Sequence, residues 1–208
     1  MTASSSPARS SQARAGDVPD GTARQGAVHL HQFRGPGNTD GGWLPLFDQY
    51  GVDVVVCGHE HHYERSHPIR GHQPNDTMTP DPAATRTDLV DTTAGTVHLV
   101  IGGGGTSIPS MDVLFDTPQC NVITGVGPTG SNGKKQPVYV TEAAPWSAFR
   151  DRVNPYGFVA FSVAPGTHAG GITSMAVTYY AVTGLYGPIE PVDTFTLRRT
   201  RSDGAGNG

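Results

Sequence analysis

Apolar residues along the chain fall into short runs separated by stretches rich in Gly, Pro and polar residues. Residues 52–57 are almost continuous Val between two glycines, which predicts a strand buried on both faces. Residues 43–50 place apolar side chains at helical spacing and are followed by Gly51, which predicts a helix with a glycine cap. Residues 27–31 are an earlier strand candidate, so the order strand, helix, strand predicts a βαβ unit with parallel strands.

The downstream pattern predicts mainly strands. Residues 96–101 form a strand candidate that ends in four glycines at 102–105. Alternating apolar and polar residues predict antiparallel strands with one solvated face over 157–163, 172–183 and 192–197. In the segments outside these strands, the residue pattern predicts a polar loop at 71–91, irregular structure at 106–136, a short strand at 138–141 and a helical turn at 144–150. The pattern as a whole indicates an α/β fold with a strand-rich C-terminal half.

The two ends of the chain differ from the middle. Residues 1–26 are rich in Ser, Ala, Arg, Gly and Pro without apolar periodicity, which predicts a disordered tail. A second disordered tail is predicted at 201–208, so one domain is expected over 27–200. No apolar run approaches the roughly 18 residues of a membrane helix, and the N-terminus lacks the apolar stretch of a secretory signal. We therefore expect no membrane partner, while localisation stays open.

Charge and cysteine content narrow the function classes. A net charge of −4, with Lys134 and Lys135 as the two lysines, argues against a protein that binds a nucleic-acid backbone. Cys57 ends an apolar run, so we expect a buried thiol rather than a disulfide to Cys120. Seven of the nine histidines lie between His29 and His72, which marks this window as the place to look for chemistry.

One motif in that window carries metal-ligand chemistry. The run Gly58-His59-Glu60-His61-His62-Tyr63-Glu64-Arg65 directly follows the Val-rich strand, and sites in open α/β sheets form at the carboxyl ends of strands. A His-x-His pair there can direct two imidazoles at one metal ion, and His31 at the end of the partner strand would converge on His59 and His61. The alternative is that these are loop histidines bonded to backbone carbonyls.

The motif resembles the last metal motif of purple acid phosphatases, in the calcineurin-like metallophosphoesterase superfamily. That family has Gly-His-x-His-x-Tyr-Glu-Arg, and every position matches at 58–65. Residues 28–32 resemble the preceding family motif, a strand that ends in a metal-binding His. Residues 95–105 and 147–158 resemble the family's C-terminal region, and 43–71 resembles actinobacterial members. The resemblance implies a β-sandwich flanked by helices, in four layers α/β/β/α.

The resemblance also implies a function and a set of ligands. It implies hydrolysis of phosphate monoesters at a dinuclear centre of iron with zinc, manganese or a second iron, with a metal-bound hydroxide as nucleophile. By position, His31 and His59 correspond to ligands of one ion and His61 to a ligand of the other. Paired metals generate a nucleophile and neutralise charge on phosphoryl oxygens. Glu60 and Glu64 are candidate partners for the second ring nitrogen of these histidines.

Earlier family motifs have no counterpart in the chain. They supply an Asp, a bridging Asp with a Tyr, and an Asn-His pair, whereas Gly16-Asp17 and Asn38 match them only superficially. The chain therefore resembles the C-terminal portion of such an enzyme, with its metals at most partly bound. The alternatives are a truncated, catalytically inactive metal-binding remnant, or a secreted β-rich binding module that would leave the motif unexplained.

Other residues near the motif receive simpler interpretations. His62 could contact phosphate, although a position on the loop surface is favoured. His29 shares a strand face with His31 and is expected to pack beside the site. Arg65 is expected to pair with Glu64 or Asp53 rather than with substrate. Structural or surface positions are predicted for four further histidines: His67, His72, His98 and His168. Residues 102–105 are predicted to form a tight glycine turn that could also cradle an anion.

Overall fold

The computed structural model describes residues 43–58, 60–72, 78–80, 86–105, 117–154, 156–183 and 186–202. The predicted N-terminal tail, the predicted strand at 27–31 and His59 lie outside these ranges, as does the predicted C-terminal tail beyond residue 202. Within them, no helix is long and apolar enough to cross a membrane.

One helix and a series of strands follow one another in the described part of the chain. They are α1 (Leu44–Tyr50), β1 (Val54–Cys57), β2 (Tyr63–Ser66), β3 (Ile69–His72), β4 (Met78–Pro80), β5 (Leu89–Asp91), β6 (Val97–Ile101), β7 (Gln119–Thr129), β8 (Lys135–Ala143), β9 (Ser147–Arg150), β10 (Gly157–Ala164), β11 (Ile172–Val182) and β12 (Ile189–Thr200). A short 3-10 turn, Thr92–Ala94, lies between β5 and β6.

Helix α1 confirms the prediction at 43–50. Pro45 lies in its first turn, where proline is tolerated. Gly51 ends the helix with φ 58° and ψ 47°, a left-handed conformation that glycine adopts without the steric penalty of a Cβ. The chain then turns directly into β1, because the Val52 amide donates to the Phe47 carbonyl at 3.0 Å.

The first sheet has the strand order β1-β6-β2-β9. β1 pairs with β6 in parallel, and the other two pairings are antiparallel. In the sheet as described, β1 is an edge strand, and its Val56 is 46% exposed. The prediction of a strand buried on both faces at 52–57 is therefore wrong for Val56, because β1 has a described neighbour on one side and incomplete cover above Val56.

The second sheet has the strand order β10-β11-β12-β5. β10, β11 and β12 form an antiparallel meander, and β5 adds in parallel at the edge. Along β12, Asp193, Phe195 and Leu197 are buried while Thr194 and Arg198 are exposed. The predicted antiparallel strands at 157–163, 172–183 and 192–197 are thus confirmed, each with slightly different bounds.

The core lies between the two sheets. Val97 and Leu99 of the first sheet pack against Val177 and Phe195 of the second, and all four are buried. We call this side of the first sheet its inner face. Its other side, the outer face, carries His98, whose ring lies 5.9 Å from that of Phe47 in α1. The described part thus has a helix, a sheet and a second sheet in layers, which supports the α/β sandwich; the fourth, helical layer stays a prediction.

Three local predictions are wrong. The polar loop at 71–91 contains β4 and β5, the irregular segment at 106–136 contains β7, and the helical turn at 144–150 contains β9. β7 was obscured because glycines and a proline weaken strand propensity, whereas pairing with β8 stabilises it. β9 forms a strand because it pairs with β2, far away in the sequence.

Candidate functional site

Several loops meet at one edge of the first sheet. Because β1 and β6 are parallel, with Cys57 opposite Val100, their carboxyl ends lie at the same edge. β2 starts and β9 ends there, since Tyr63 lies opposite Ile101 and Glu64 opposite Arg150. The loop that carries the histidine motif therefore lies at the carboxyl edge of the sheet, where the sequence predicts a site.

Two glycine-containing loops, at Gly58 and at residues 102–105, lie next to each other at this edge. A Cβ built on Gly58 would lie 4.0 Å from the Cα of Gly102, and the Gly103 carbonyl accepts a hydrogen bond from the Gly157 amide at 3.1 Å. Of the glycines at 102–105, Gly103 is buried and Gly104 and Gly105 are exposed. These glycines therefore lie beside the motif, and the tight turn at 102–105 stays a prediction.

The predicted metal ligands are described only in part. His31 and His59 lie outside the described residues, as does His29, while His61 is half-buried in the loop between β1 and β2. Among the residues that the structure describes, no three His, Cys, Asp or Glu side chains converge so as to hold a metal ion. Because His31 and His59 are not among these residues, the ligand set of the metal centre stays a prediction.

His62 is buried, with 7% of its surface exposed, so the favoured position on the loop surface is wrong. Its Nε2 lies 3.5 Å from Oε2 of Glu64, a buried carboxylate of β2. The other oxygen of Glu64, Oε1, accepts a hydrogen bond from the Ser147 hydroxyl at 2.9 Å. Glu64 therefore joins the motif loop to β9. Its histidine contact is His62 rather than one of the proposed ligands His31, His59 and His61, for which the sequence offered it as a partner.

Glu64 is part of a row that crosses all four strands of the first sheet. The strand registers place Cys57, Val100, Glu64 and Arg150 side by side. Burial first, and then the nearby Glu64 carboxylate, raise the pKa of the Cys57 thiol to about 11. Cys57 donates a hydrogen bond to the Leu99 carbonyl at 3.4 Å; it is half-buried rather than buried, and it forms no disulfide with Cys120.

The next residues of the motif point to the inner face. The Arg65 guanidinium donates to both carboxylate oxygens of Asp193, with Nε–Oδ2 at 2.7 Å and Nη2–Oδ1 at 2.9 Å. The Tyr63 hydroxyl donates to the same Oδ2 at 2.8 Å, and its ring stacks on Tyr179 with centroids 3.9 Å apart. The expected pairing of Arg65 with Glu64 or Asp53 is wrong, because Arg65 points to the opposite face from Glu64; Asp53 pairs with Arg199 at 2.9 Å.

The loop that follows β9 also lies at the carboxyl edge of the first sheet. The Asp151 amide donates to the Tyr63 carbonyl at 3.0 Å, and its buried Oδ1 accepts the amides of Val153 and Asn154, each at 2.9 Å. Asp151 and Asp193 received no role from the sequence. Cross-strand register brings both of them to the motif, and single-sequence reasoning has no access to register. The signal for Asp151 was its place directly after Arg150 in the segment that resembles the phosphatase family.

Comparison with known proteins gives few relatives. No protein-family model matches the chain. The uncharacterized proteins MT2654 and Rv2577 of Mycobacterium tuberculosis, from strains CDC 1551 / Oshkosh and ATCC 25618 / H37Rv, are each 63% identical to it over 160 residues. The match covers 76% of this chain but 30% of each relative, so the chain spans about 30% of the length of the curated relatives it matches.

One solved structure is also similar, the purple acid phosphatase PPD1 from yellow lupin (Lupinus luteus) seeds. It is 19% identical, with a TM-score of 0.43, and the match covers 85% of this chain and 23% of that protein.

Proposed function

We propose that this chain carries the C-terminal part of a dinuclear metallophosphoesterase of the purple acid phosphatase type, which hydrolyses phosphate monoesters. The observation that carries the proposal is the complete Gly-His-x-His-x-Tyr-Glu-Arg motif, whose described residues lie at the carboxyl edge of a sheet. Sites of α/β proteins form at such edges. In the proposed site, His31 and His59 bind one ion and His61 binds the other.

The described residues would prepare this site rather than perform the chemistry. Tyr63 and Arg65 anchor β2 to the second sheet through Asp193, which holds the end of the motif loop in place. Glu64, fixed by Ser147, orients the ring of His62, which we propose as a contact to substrate. When bound, paired metal ions supply a nucleophile at neutral pH and neutralise charge on the phosphoryl oxygens.

The second candidate is a catalytically inactive metal-binding remnant. It is favoured by the proposed ligand set, which contains three histidines, His31, His59 and His61, and no carboxylate to bridge two ions. With three histidines and no bridging carboxylate in the proposed ligand set, two cations would repel one another. On this reading the isolated chain binds zinc weakly and hydrolyses phosphomonoesters poorly or not at all.

The test combines calorimetry and kinetics on the purified 208-residue chain. Zinc affinity is measured for the wild type, His59→Ala and His61→Ala, with the exposed His168→Ala as control. We expect weakened binding in the first two variants and an unchanged affinity in the control. Equal affinity in all four proteins would refute the proposed ligands. Robust metal-dependent hydrolysis of p-nitrophenyl phosphate that is abolished by His61→Ala would reject the remnant and support an enzyme that is complete in this chain.

A further inference from the structure

The arginines of the described residues differ in whether they have partners. Arg65, Arg86, Arg198 and Arg199 each pair with a carboxylate. Arg70 and Arg201 donate to backbone carbonyls, and Arg152 has an interaction of its own. The side chain of Arg150, by contrast, has no hydrogen bond or ion pair with any described residue. A guanidinium is positively charged at every physiological pH, so the side chain of Arg150 can bind an anion.

The unpaired guanidinium of Arg150 is not simply a solvated surface charge. The residue is half-buried, and its Nη1 is excluded from solvent without a hydrogen-bond partner. A buried N–H without an acceptor is unfavourable, and polar groups in that position in folded proteins commonly bind a ligand, an ion or water. Burial lowers the pKa of Arg150, and the nearby Glu64 carboxylate opposes that shift. The guanidinium therefore lies in a partly desolvated place, where its attraction for an anion is strengthened.

The position of Arg150 matches the candidate site. It is the last residue of β9, at the carboxyl edge of the first sheet, and it lies opposite Glu64 in the strand register. The Glu64 carboxylate does not neutralise it by a direct ion pair, because its two oxygens face Ser147 and His62. A positive group is thus placed next to the motif loop, and its buried Nη1 has no acceptor among the described residues.

We propose that Arg150 binds an oxyanion of the phosphate type at this edge, as a substrate-binding residue of the proposed phosphoesterase. The planar guanidinium presents two parallel N–H donors that fit two oxygens of a phosphoryl group. This assignment rests on the proposed function for the identity of the substrate, but binding of the anion by Arg150 does not depend on a bound metal.

The experiment measures the affinity of the full chain for inorganic phosphate by calorimetry in the presence of a metal chelator. Arg150→Ala should weaken binding by about 10- to 100-fold, the effect of losing a charged hydrogen-bond donor. Arg150→Lys, which keeps the charge without the paired donors, should fall in between. The matched control is Arg70→Ala, which removes the same charge from an exposed residue of β3 and should change the affinity by less than about 2-fold.

Two results would overturn the assignment: no measurable phosphate binding by the wild type, or equal losses in Arg150→Ala and Arg70→Ala. Circular dichroism and the thermal midpoint of each variant confirm that it is folded, and Arg150→Lys provides a second variant should the alanine variant unfold. Failure of the proposed function is separable. If Arg150→Ala weakens phosphate binding but His59→Ala and His61→Ala leave zinc affinity unchanged, the phosphate site at Arg150 is supported and the proposed metal ligands are refuted.

Discussion

The two faces of β2 are built in opposite ways. On its inner face, Tyr63 and Arg65 both donate hydrogen bonds to the carboxylate of Asp193. Both carboxylate oxygens of this buried ion pair therefore accept hydrogen bonds. On its outer face, Glu64 lies among the ring of His62, the hydroxyl of Ser147 and the side chain of Arg150, whose Nη1 has no partner in the described part of the chain. Adjacent residues of one short strand thus belong to two different networks.

The difference between the two networks indicates that the inner face stabilises the fold and the outer face is available to bind a ligand. The buried ion pair of Arg65 with Asp193, joined by two hydrogen bonds, fixes how the two sheets pack, although Arg65 Nη1 has no hydrogen-bond partner among the described residues. Removing either charge leaves the other buried and unpaired. An outer-face cluster with spare donors is less favourable for stability but can receive a ligand. We therefore expect substitutions on the inner face to affect folding, and substitutions on the outer face to affect binding with smaller changes in stability.

Replacing Asp193 should have the largest effect on stability. Asp193→Asn leaves the Arg65 guanidinium buried opposite a neutral group, so we expect a loss of about 3–5 kcal/mol in the free energy of unfolding. Urea denaturation followed by circular dichroism measures it. Asp88→Ala, which breaks the solvent-exposed pair with Arg86, is the matched control and should leave the denaturation midpoint unchanged. Equal shifts in both variants would remove the distinction between the two faces.

The outer face should make stability depend on pH through His98. Burial lowers the pKa of this histidine from 6.5 to about 3. Between these values the unfolded chain binds a proton that the folded chain excludes, so stability rises with pH and is lost as the pH falls below about 6.5. The slope from this group is about 1.4 kcal/mol per pH unit at most. Denaturation curves from pH 4 to 8 should flatten for His98→Gln and keep their slope for the exposed His168→Gln.

The sequence predicted those parts of the fold whose signal is local. α1 was predicted from helical spacing and a terminal glycine, and β10, β11 and β12 from alternation, because half-buried strands of an antiparallel sheet carry a period of two. β9 and β7 were missed because their strand state comes from pairing with distant segments, and this tertiary context overrides a weak local preference.

The same division applies to the candidate site. The His59-x-His61 pair is visible because both residues lie in one short motif. The hydrogen-bond partners of the motif residues are not visible in the sequence, since Ser147 is 83 residues from Glu64 and Asp193 is 128 residues from Arg65. Strand register decides these contacts, and the shift between Arg65 and Ser66 in the pairing of β2 with β9 shows that even known strands would not have fixed them.

Ser147→Ala should have a moderate effect that is specific to the outer face. The variant removes the donor to Glu64 Oε1 and leaves a buried carboxylate oxygen unsatisfied, so we expect a loss of about 1–3 kcal/mol in unfolding free energy. The ring of His62 should also lose its fixed orientation, which nitrogen chemical shifts of the histidine would report. Ser162→Ala, on the exposed surface of β10, is the control. Unchanged His62 shifts in Ser147→Ala would mean that Glu64 does not orient this ring.

The smallest expected effect is on the reactivity of Cys57. Its pKa of about 11 reduces the thiolate fraction near pH 8, and the higher nucleophilicity of that thiolate offsets part of the loss, so alkylation should be about 10-fold slower than for a thiol of pKa 9.0. Because the Glu64 carboxylate contributes to the raised pKa, Glu64→Gln should accelerate labelling by a few-fold at fixed pH. Tyr63→Phe, the neighbouring substitution on the inner face, should leave the rate unchanged. Rates measured by mass spectrometry that respond equally to both substitutions would show that the two faces of β2 are coupled rather than independent.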